Sequence, residues 1–239
     1  MRKILSFAFA STLLTAGLAY IAPAQAADMT PATQAYVAPV HTGGFEISGY
    51  GGYQFAPHSD VDVSDGPDFA AGWDTKPFAM PPYWGVRGTY WFDGGALTNW
   101  GVSLDYTHAK VYADDETMVK AGGWSVFEFT DGLNLLTVNG LYRFQDPTRR
   151  WTPYLGAGIG VNIPHVEVIR PEGKTWAYEF GGVTLQAQAG VDFKVTDRWS
   201  TFVEYKGTYS RVDVPIDSGD RLKTNIFTNA VNVGVSFHW

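Results

Sequence analysis

Cysteine is absent from the 239 residues. That excludes disulfides and thiolate-based metal or redox sites. Positive charge is scarce as well, with 17 Lys+Arg against 24 Asp+Glu. Such a chain lacks the basic footprint that nucleic acid requires. Long apolar runs occur only at the start. Ile4 to Ile21 is mostly apolar, follows Arg2 and Lys3, and precedes Ala24-Gln25-Ala26. A charged start, an apolar middle and an A-x-A site describe a cleaved signal peptide over residues 1–26, so export is expected. Removing it takes the bases from 17 to 15 and the net charge from -7 to -9. No later segment approaches the roughly 20 apolar residues of a spanning helix. Soluble-enzyme motifs are missing too: there is no phosphate-binding glycine loop between strand and helix and no G-x-S-x-G elbow.

What the chain does have is alternation. Val231, Val233, Val235, Phe237 and Trp239 share one face of the final stretch, while Asn232, Gly234, Ser236 and His238 share the other. That is the period of a strand with one apolar side. A final strand ending on an aromatic resembles the terminal assembly signal of outer-membrane barrels, which implies the barrel-assembly machinery as a partner during biogenesis. After a periplasmic lead-in over 27–44, similar segments recur over 45–239: Phe45–Phe55, Tyr83–Phe92, Trp100–Ala109, Leu133–Phe144, Trp151–Ile163, Gly182–Lys194, Trp199–Ser210 and Ile226–Trp239. Eight strands of about ten residues suit an all-β fold, an antiparallel up-and-down transmembrane β-barrel. Short connections alternate with long ones. Long loops are therefore expected outside the cell, and both mature termini in the periplasm. Aromatics flank every short turn, for example Trp91 and Trp100, or Phe193 and Trp199, as in an interfacial girdle. A secreted lipocalin-like barrel would share the periodicity but turn its apolar residues inward. The aromatic turns and Trp239 favour the membrane barrel, expected as a monomer.

On this parity Glu46, Arg87, Asp105, Asn139, Arg143, Gln186, Gln188, Glu204, Lys206 and Asn232 point into the bore. Eight strands leave room for little beyond side chains, and buried charges need partners. A polar plug is expected, with a narrow pore as the alternative.

Three histidines fall at the far ends of strands: His58, His108 and His165, with Asp60, Asp105, Asp114 and Glu167 nearby in sequence. Pro57-His58-Ser59-Asp60 and Pro164-His165-Val166-Glu167 repeat one pattern. Two histidines and a carboxylate would suit a divalent metal; the alternative is rim histidines that hydrogen-bond or face solvent. Asp60, Asp62, Asp65, Asp68 and Asp74 make the first long loop acidic, either solvated or holding cations that bridge lipopolysaccharide phosphates.

Several blocks are similar to the lipid A oxidases of α-proteobacterial outer membranes. They are Pro57–Asp60, Met80–Tyr83, Leu104–Val111, Phe127–Asn134, Arg150–Tyr154, Pro164–Glu167 and Glu204–Gly207. The likeness runs from about Tyr50 to the end. It implies oxidation of the proximal glucosamine of lipid A to 2-aminogluconate with molecular oxygen as co-substrate, and lipid A or lipopolysaccharide of the outer leaflet as partner. Side chains alone do not pass electrons to oxygen, so a metal or organic group is required. Under this resemblance His58, His108 and His165, with Asp60 or Glu167, are expected to bind a divalent metal at the outer rim. Arg87, Lys110 or Lys206 is expected to hold the sugar or its phosphate. The alternatives from other classes are a surface-antigen or structural barrel and a pore.

Overall fold

A computed structural model describes residues 43–239. The signal peptide expected over 1–26 lies outside the described residues. So does the expected lead-in, apart from Gly43 and Gly44. Gly44 already pairs with Trp91.

Eight strands form the wall: β1 (Gly44–Phe55), β2 (Trp84–Trp91), β3 (Trp100–His108), β4 (Leu135–Arg143), β5 (Trp151–Asn162), β6 (Gly182–Lys194), β7 (Trp199–Pro215) and β8 (Arg221–His238). Each pairs antiparallel with the next. β8 returns to β1, from Glu46↔His238 to Phe55↔Asn229, and closes the barrel. Closure removes the free sheet edges that lipid would not tolerate. Parity decides what faces what. Leu104, Val138, Leu155, Ile159, Leu185, Val203, Val231 and Val233 are exposed on the outer wall. The polar residues between them are buried in the bore. The expected membrane barrel therefore stands, and the lipocalin-like alternative, with its apolar residues inside, does not.

The bore is filled by an ion network. Arg87 donates to Asp105 at 3.0 Å and to the Glu204 carboxylate at 2.8 Å. The Lys206 ammonium donates to Asp105 at 2.8 Å and to Tyr50 Oη at 2.5 Å. Tyr50, Gln186, Tyr154 and Asn232 donate the remaining bonds to the two carboxylates. Two cations meet two anions, so the plug carries no net charge. A cavity of about 30 Å³ lies at the level of Arg143, Trp91 and Asp192. The glycines of β5 do not widen the bore. A Cβ on Gly158 or Gly160 would lie 2.2 or 1.9 Å from a backbone oxygen of β4, so they allow β4 and β5 to approach.

β7 and β8 run beyond the expected ends at Ser210 and Ile226, to Pro215 and from Arg221. Their alternation keeps its register but reverses its sense. On β8, Val235, Val233, Val231 and Phe227 face out below, and Asn225, Lys223 and Arg221 face out above. Inward, Ser236, Asn232 and Thr228 give way to Ile226 and Leu222. β7 does the same, from Tyr205 outside and Lys206 inside to Arg211 outside and Val212 and Val214 inside. The reversal marks the edge of the hydrocarbon. Tyr209 and Phe227, with ring centroids 4.7 Å apart, sit on that edge. From Phe227 to Phe237 the strand climbs roughly 33 Å at ~3.3 Å per residue. At a tilt of ~40° that spans about 25 Å, the height of an apolar barrel band.

Candidate functional site

Above the edge, the long connections fold into structure rather than open loops. Short strands form a second sheet in the order Gly173–Tyr178, His165–Arg170, Val126–Phe129, Val111–Ala113, Trp73–Asp74. Its inner face carries Val111, Phe127, Phe129, Val166 and Val168, all buried. Trp73 and Trp124 pack on Phe127 with ring centroids 5.2 and 5.3 Å away, and Phe69 packs on Trp124 at 5.6 Å. Its outer face mixes Asp74, Glu128 and Glu167 with Tyr112, Val126, Ile169, Trp176 and Tyr178.

The chemistry-bearing groups gather where that face meets the wall. His108 ends β3 opposite Trp84, and the two rings stack at 6.2 Å. The turn from Asp131 to Asn134 lies against it. Gly132 has φ +92, and a Cβ there would come 2.5 Å from His108 Nδ1, so glycine is required on both counts. Asn134 is also left-handed, at φ 48. Its Nδ2 donates to the carbonyls of Asp131, Gly132 and Ile163 at 2.9, 3.1 and 3.1 Å. That fixes Oδ1 as the acceptor for Tyr106 Oη at 2.7 Å and for His108 Nδ1 at 3.2 Å. The network thus assigns the proton to Nδ1 and the lone pair to Nε2. His108 Nε2 is buried with no hydrogen-bond partner among the described residues.

His165 meets the same turn from the other side. Its backbone N–H donates to Gly132 O at 3.0 Å. Its ring packs on Tyr178 and Trp176, with centroids 4.7 and 5.2 Å away. Nδ1 lies 3.7 Å from Asp131 Oδ2, which is too long for a hydrogen bond, and it too is buried without a partner. Two histidines therefore flank one four-residue turn, each with one uncommitted ring nitrogen.

Further up the face, Glu128 and Glu167 sit directly opposite each other on neighbouring strands. Burial raises the Glu128 carboxyl above the usual range, and the charge and hydrogen bond of Glu167 add to this. Lys110 is fully buried, and its ammonium donates to Ala79 O at 2.8 Å and Tyr112 Oη at 3.2 Å. Burial lowers its pKa, against the opposing pull of Asp131.

The expected site residues are thus divided. His108, His165, Lys110 and Glu167 share the outer face. His58 does not join them. Pro57-His58 leads into Ser59–Val63, which pairs with β8, and His58 crowds Gly72 together with Asp114. Asp114 caps the six-residue helix Asp115–Lys120, and hydrogen bonds from Thr117 hold its carboxyl below the usual range. Asp60 is exposed on the β8 side, lining a groove with Asp62, Asp68, Arg211 and Lys223. Arg87 and Lys206, expected to hold the sugar, are 3% and 1% exposed inside the plug and are committed to Asp105 and Glu204. Their inward parity takes them away from any headgroup.

The expected metal ligands are not gathered into one group. The described residues contain no grouping of three or more His, Asp or Glu able to hold a metal ion. The two Pro-His-x-acid segments enter different sheets, which separates their ligands. Of the expected set, His108, His165 and Glu167 lie along one face, while His58 and Asp60 lie with Ser59–Val63 on the β8 side.

Asp131, Gly132, Asn134, Glu128, Trp176 and Tyr178 were not assigned roles from sequence. The Asp131-Gly132 dipeptide is a turn signal that marks the first two. Asn134, with φ > 0, carries no comparable signal.

The profile of the family described as "Outer membrane protein beta-barrel domain" matches residues 11–238. Among solved structures, the chain is similar to Neisserial surface protein A, with 17% identity over 82% of this chain and 97% of that one, TM-score 0.47. It is similar to outer membrane protein AlkL, with 14% identity over 89% and 97%, TM-score 0.46. It is also similar to the N-terminal β-barrel domain of Pseudomonas aeruginosa OprF, with 13% identity over 83% and 100%, TM-score 0.39. No curated protein matches the sequence.

Proposed function

The chain belongs to the outer membrane protein β-barrel domain family, and from that premise we propose that it is an enzyme of the outer leaflet that oxidises the proximal glucosamine of lipid A to 2-aminogluconate. The reaction is taken from the resemblance at Thr107–Val111, Phe127–Asn134 and His165. One observation carries it here: His108 and His165 flank the Asp131–Asn134 turn at the top of the lipid-facing wall, each with a buried ring nitrogen that has no hydrogen-bond partner among the described residues. A membrane-anchored glycolipid presents its sugars at that height with its acyl chains along Leu104, Leu136 and Val138. In this reading the long connections are extracellular and the short turns periplasmic.

Oxidising a lactol carbon to a lactone removes two electrons and two protons. Molecular oxygen accepts both pairs as hydrogen peroxide, and water then opens the lactone to the acid. His108 Nε2 is the acceptor for the sugar hydroxyl proton. Asn134 holds the tautomer, and His165 and Asp131 line the opposite side. Passing the electrons to oxygen requires a metal or organic group, which would supply the redox chemistry when bound beside these side chains.

Mass spectrometry of lipid A from cells with and without the protein tests the assignment. A gain of one oxygen on the proximal sugar is expected. It should vanish in His108→Ala and His165→Ala and persist in His58→Ala. Lipid A of unchanged mass would leave a surface barrel with contact-making loops instead.

A further inference from the structure

The outer face of the rim sheet carries one row that the two histidines do not explain. Residues directly opposite on paired antiparallel strands point to the same side. The registers Glu167↔Trp176, Glu167↔Glu128, Tyr112↔Glu128 and Asp74↔Tyr112 therefore align Trp176, Glu167, Glu128, Tyr112 and Asp74 across all five strands. Neighbouring strands are ~4.8 Å apart, so Trp176 and Tyr112, three steps apart, are separated by about 14 Å.

The chemistry along this row is unusual for a solvated sheet. Trp176 is 63% exposed on the sheet edge, and Tyr178 beside it is 59% exposed. Both belong to the sheet built from the long connections, whereas at the ends of β7 and β8 beyond the reversal the outward positions Arg211, Asp213, Lys223 and Arg221 are charged. Each ring packs on His165 but remains more than half exposed, and exposed aromatic surface beside carboxyls suits a cover that is apolar on its faces and hydroxylated at its rim. Glu167 and Glu128 supply acceptors between them, and Thr130 reaches Glu167 at 3.5 Å. Lys76 closes the far end, its ammonium 4.5 Å above the Tyr112 ring with no ion pair to a carboxylate among the described residues.

We propose that this row is a saccharide-binding strip that takes two linked pyranose rings of a glycolipid headgroup. One sugar stacks on Trp176 while its hydroxyls bond Glu167. The second bonds Glu128 and the Lys76 ammonium. The raised Glu128 carboxyl fits this role, since a protonated carboxyl donates as well as accepts. The strip deepens the lipid A reading and rests on it for the identity of the headgroup. It lies four residues above His108 along the β3 direction, so it selects and holds sugars rather than reacting with them.

The probe is a di-N-acetylated glucosamine disaccharide, neutral so that no ammonium is drawn to the carboxyls. It is titrated into the detergent-solubilised barrel and followed by calorimetry, with the fold monitored by circular dichroism. Wild type should bind the disaccharide about tenfold tighter than the monosaccharide. Trp176→Ala should weaken disaccharide binding roughly tenfold, a loss of about 1.4 kcal/mol, while Trp176→Phe keeps most of it. Glu167→Gln should weaken it several-fold. Val119→Ala, exposed on the six-residue helix, should change nothing. Equal binding by wild type and Trp176→Ala would overturn the strip. So would quenching of Trp176 by brominated acyl chains with indifference to the sugar. The two readings separate cleanly: sugar binding with unaltered lipid A removes the oxidase and leaves the strip. Oxidised lipid A with sugar binding independent of Trp176 removes the strip alone.

Discussion

The lower and upper halves of this barrel share strands but obey opposite rules. Between Phe237 and Phe227, β8 shows lipid its valines and hides Asn232 and Ser236. Between Ile226 and Arg221 it shows water Asn225, Lys223 and Arg221 and hides Ile226, Thr224 and Leu222. The backbone is continuous, and only the surrounding solvent changes. Below, burial of polar groups is tolerated because Arg87, Lys206, Asp105 and Glu204 satisfy each other. Above, Phe127, Phe129 and Trp73 form an ordinary apolar core. The difference separates two uses of charge: in the lower half four ionised groups hold one another inside the bore, whereas above the edge Glu128, Glu167 and Lys223 lie on the outside of an apolar core.

The largest effect that follows is in the plug. Arg87→Ala leaves Asp105 and Glu204 facing each other with Lys206 as the remaining cation. Removing one partner of a buried pair costs about 3–5 kcal/mol. The urea midpoint of refolding into bilayers should drop accordingly. If instead stability holds and lipid A oxidation alone disappears, Arg87 belongs to the site and the division between halves collapses.

The next effect locates the boundary. Val231 and Asn225 lie on the same outward face of β8, six residues apart. Val231→Lys should cost ~2–4 kcal/mol, as lysine does near the bilayer midplane, whereas Asn225→Lys should cost ~0–1. Equal costs, measured by the same refolding titration, would move the hydrocarbon edge and with it the headgroup level of His108.

This reversal also explains which parts of the fold were legible in sequence. All eight strands were readable where apolar residues alternate outward, and Gly182–Lys194 matched to the residue. The outward-apolar pattern stops at Ser210 and resumes at Ile226 because Arg211 and Lys223 alternate in the opposite sense, although the pairing of β7 with β8 continues to Pro215↔Arg221. The rim strands are two to six residues long, too short for periodicity to register. The outward parity of His108 and His165 was legible, and so was the inward parity of Arg87 and Lys206, which already argued against a sugar-binding role for them. The contact between Asn134 and His108 was not, because it depends on a left-handed turn brought back across 26 residues.

The smallest effect separates the halves by pH. Glu128 is half-buried, and its carboxyl is raised first by burial and then by Glu167. A carboxyl raised in the fold is held protonated there more tightly than in the unfolded chain. Its contribution is therefore complete below the ordinary value of about 4.5 and is lost as pH climbs through the raised one. The pair is partly solvated and screened, so the change amounts to ~0.5 kcal/mol at most. Hydrogen exchange over 111–129 and 165–178 should thus quicken slightly as pH rises through that window, after correction for intrinsic rates. Glu128→Gln, which fixes the neutral form, should abolish the trend, while exchange in the outward-apolar stretches of β4 to β6 should not respond in either protein. A pH trend of equal size in the variant would mean that Glu128 and Glu167 do not share a proton, and the acceptor-and-donor character of the upper face would have to come from another pair.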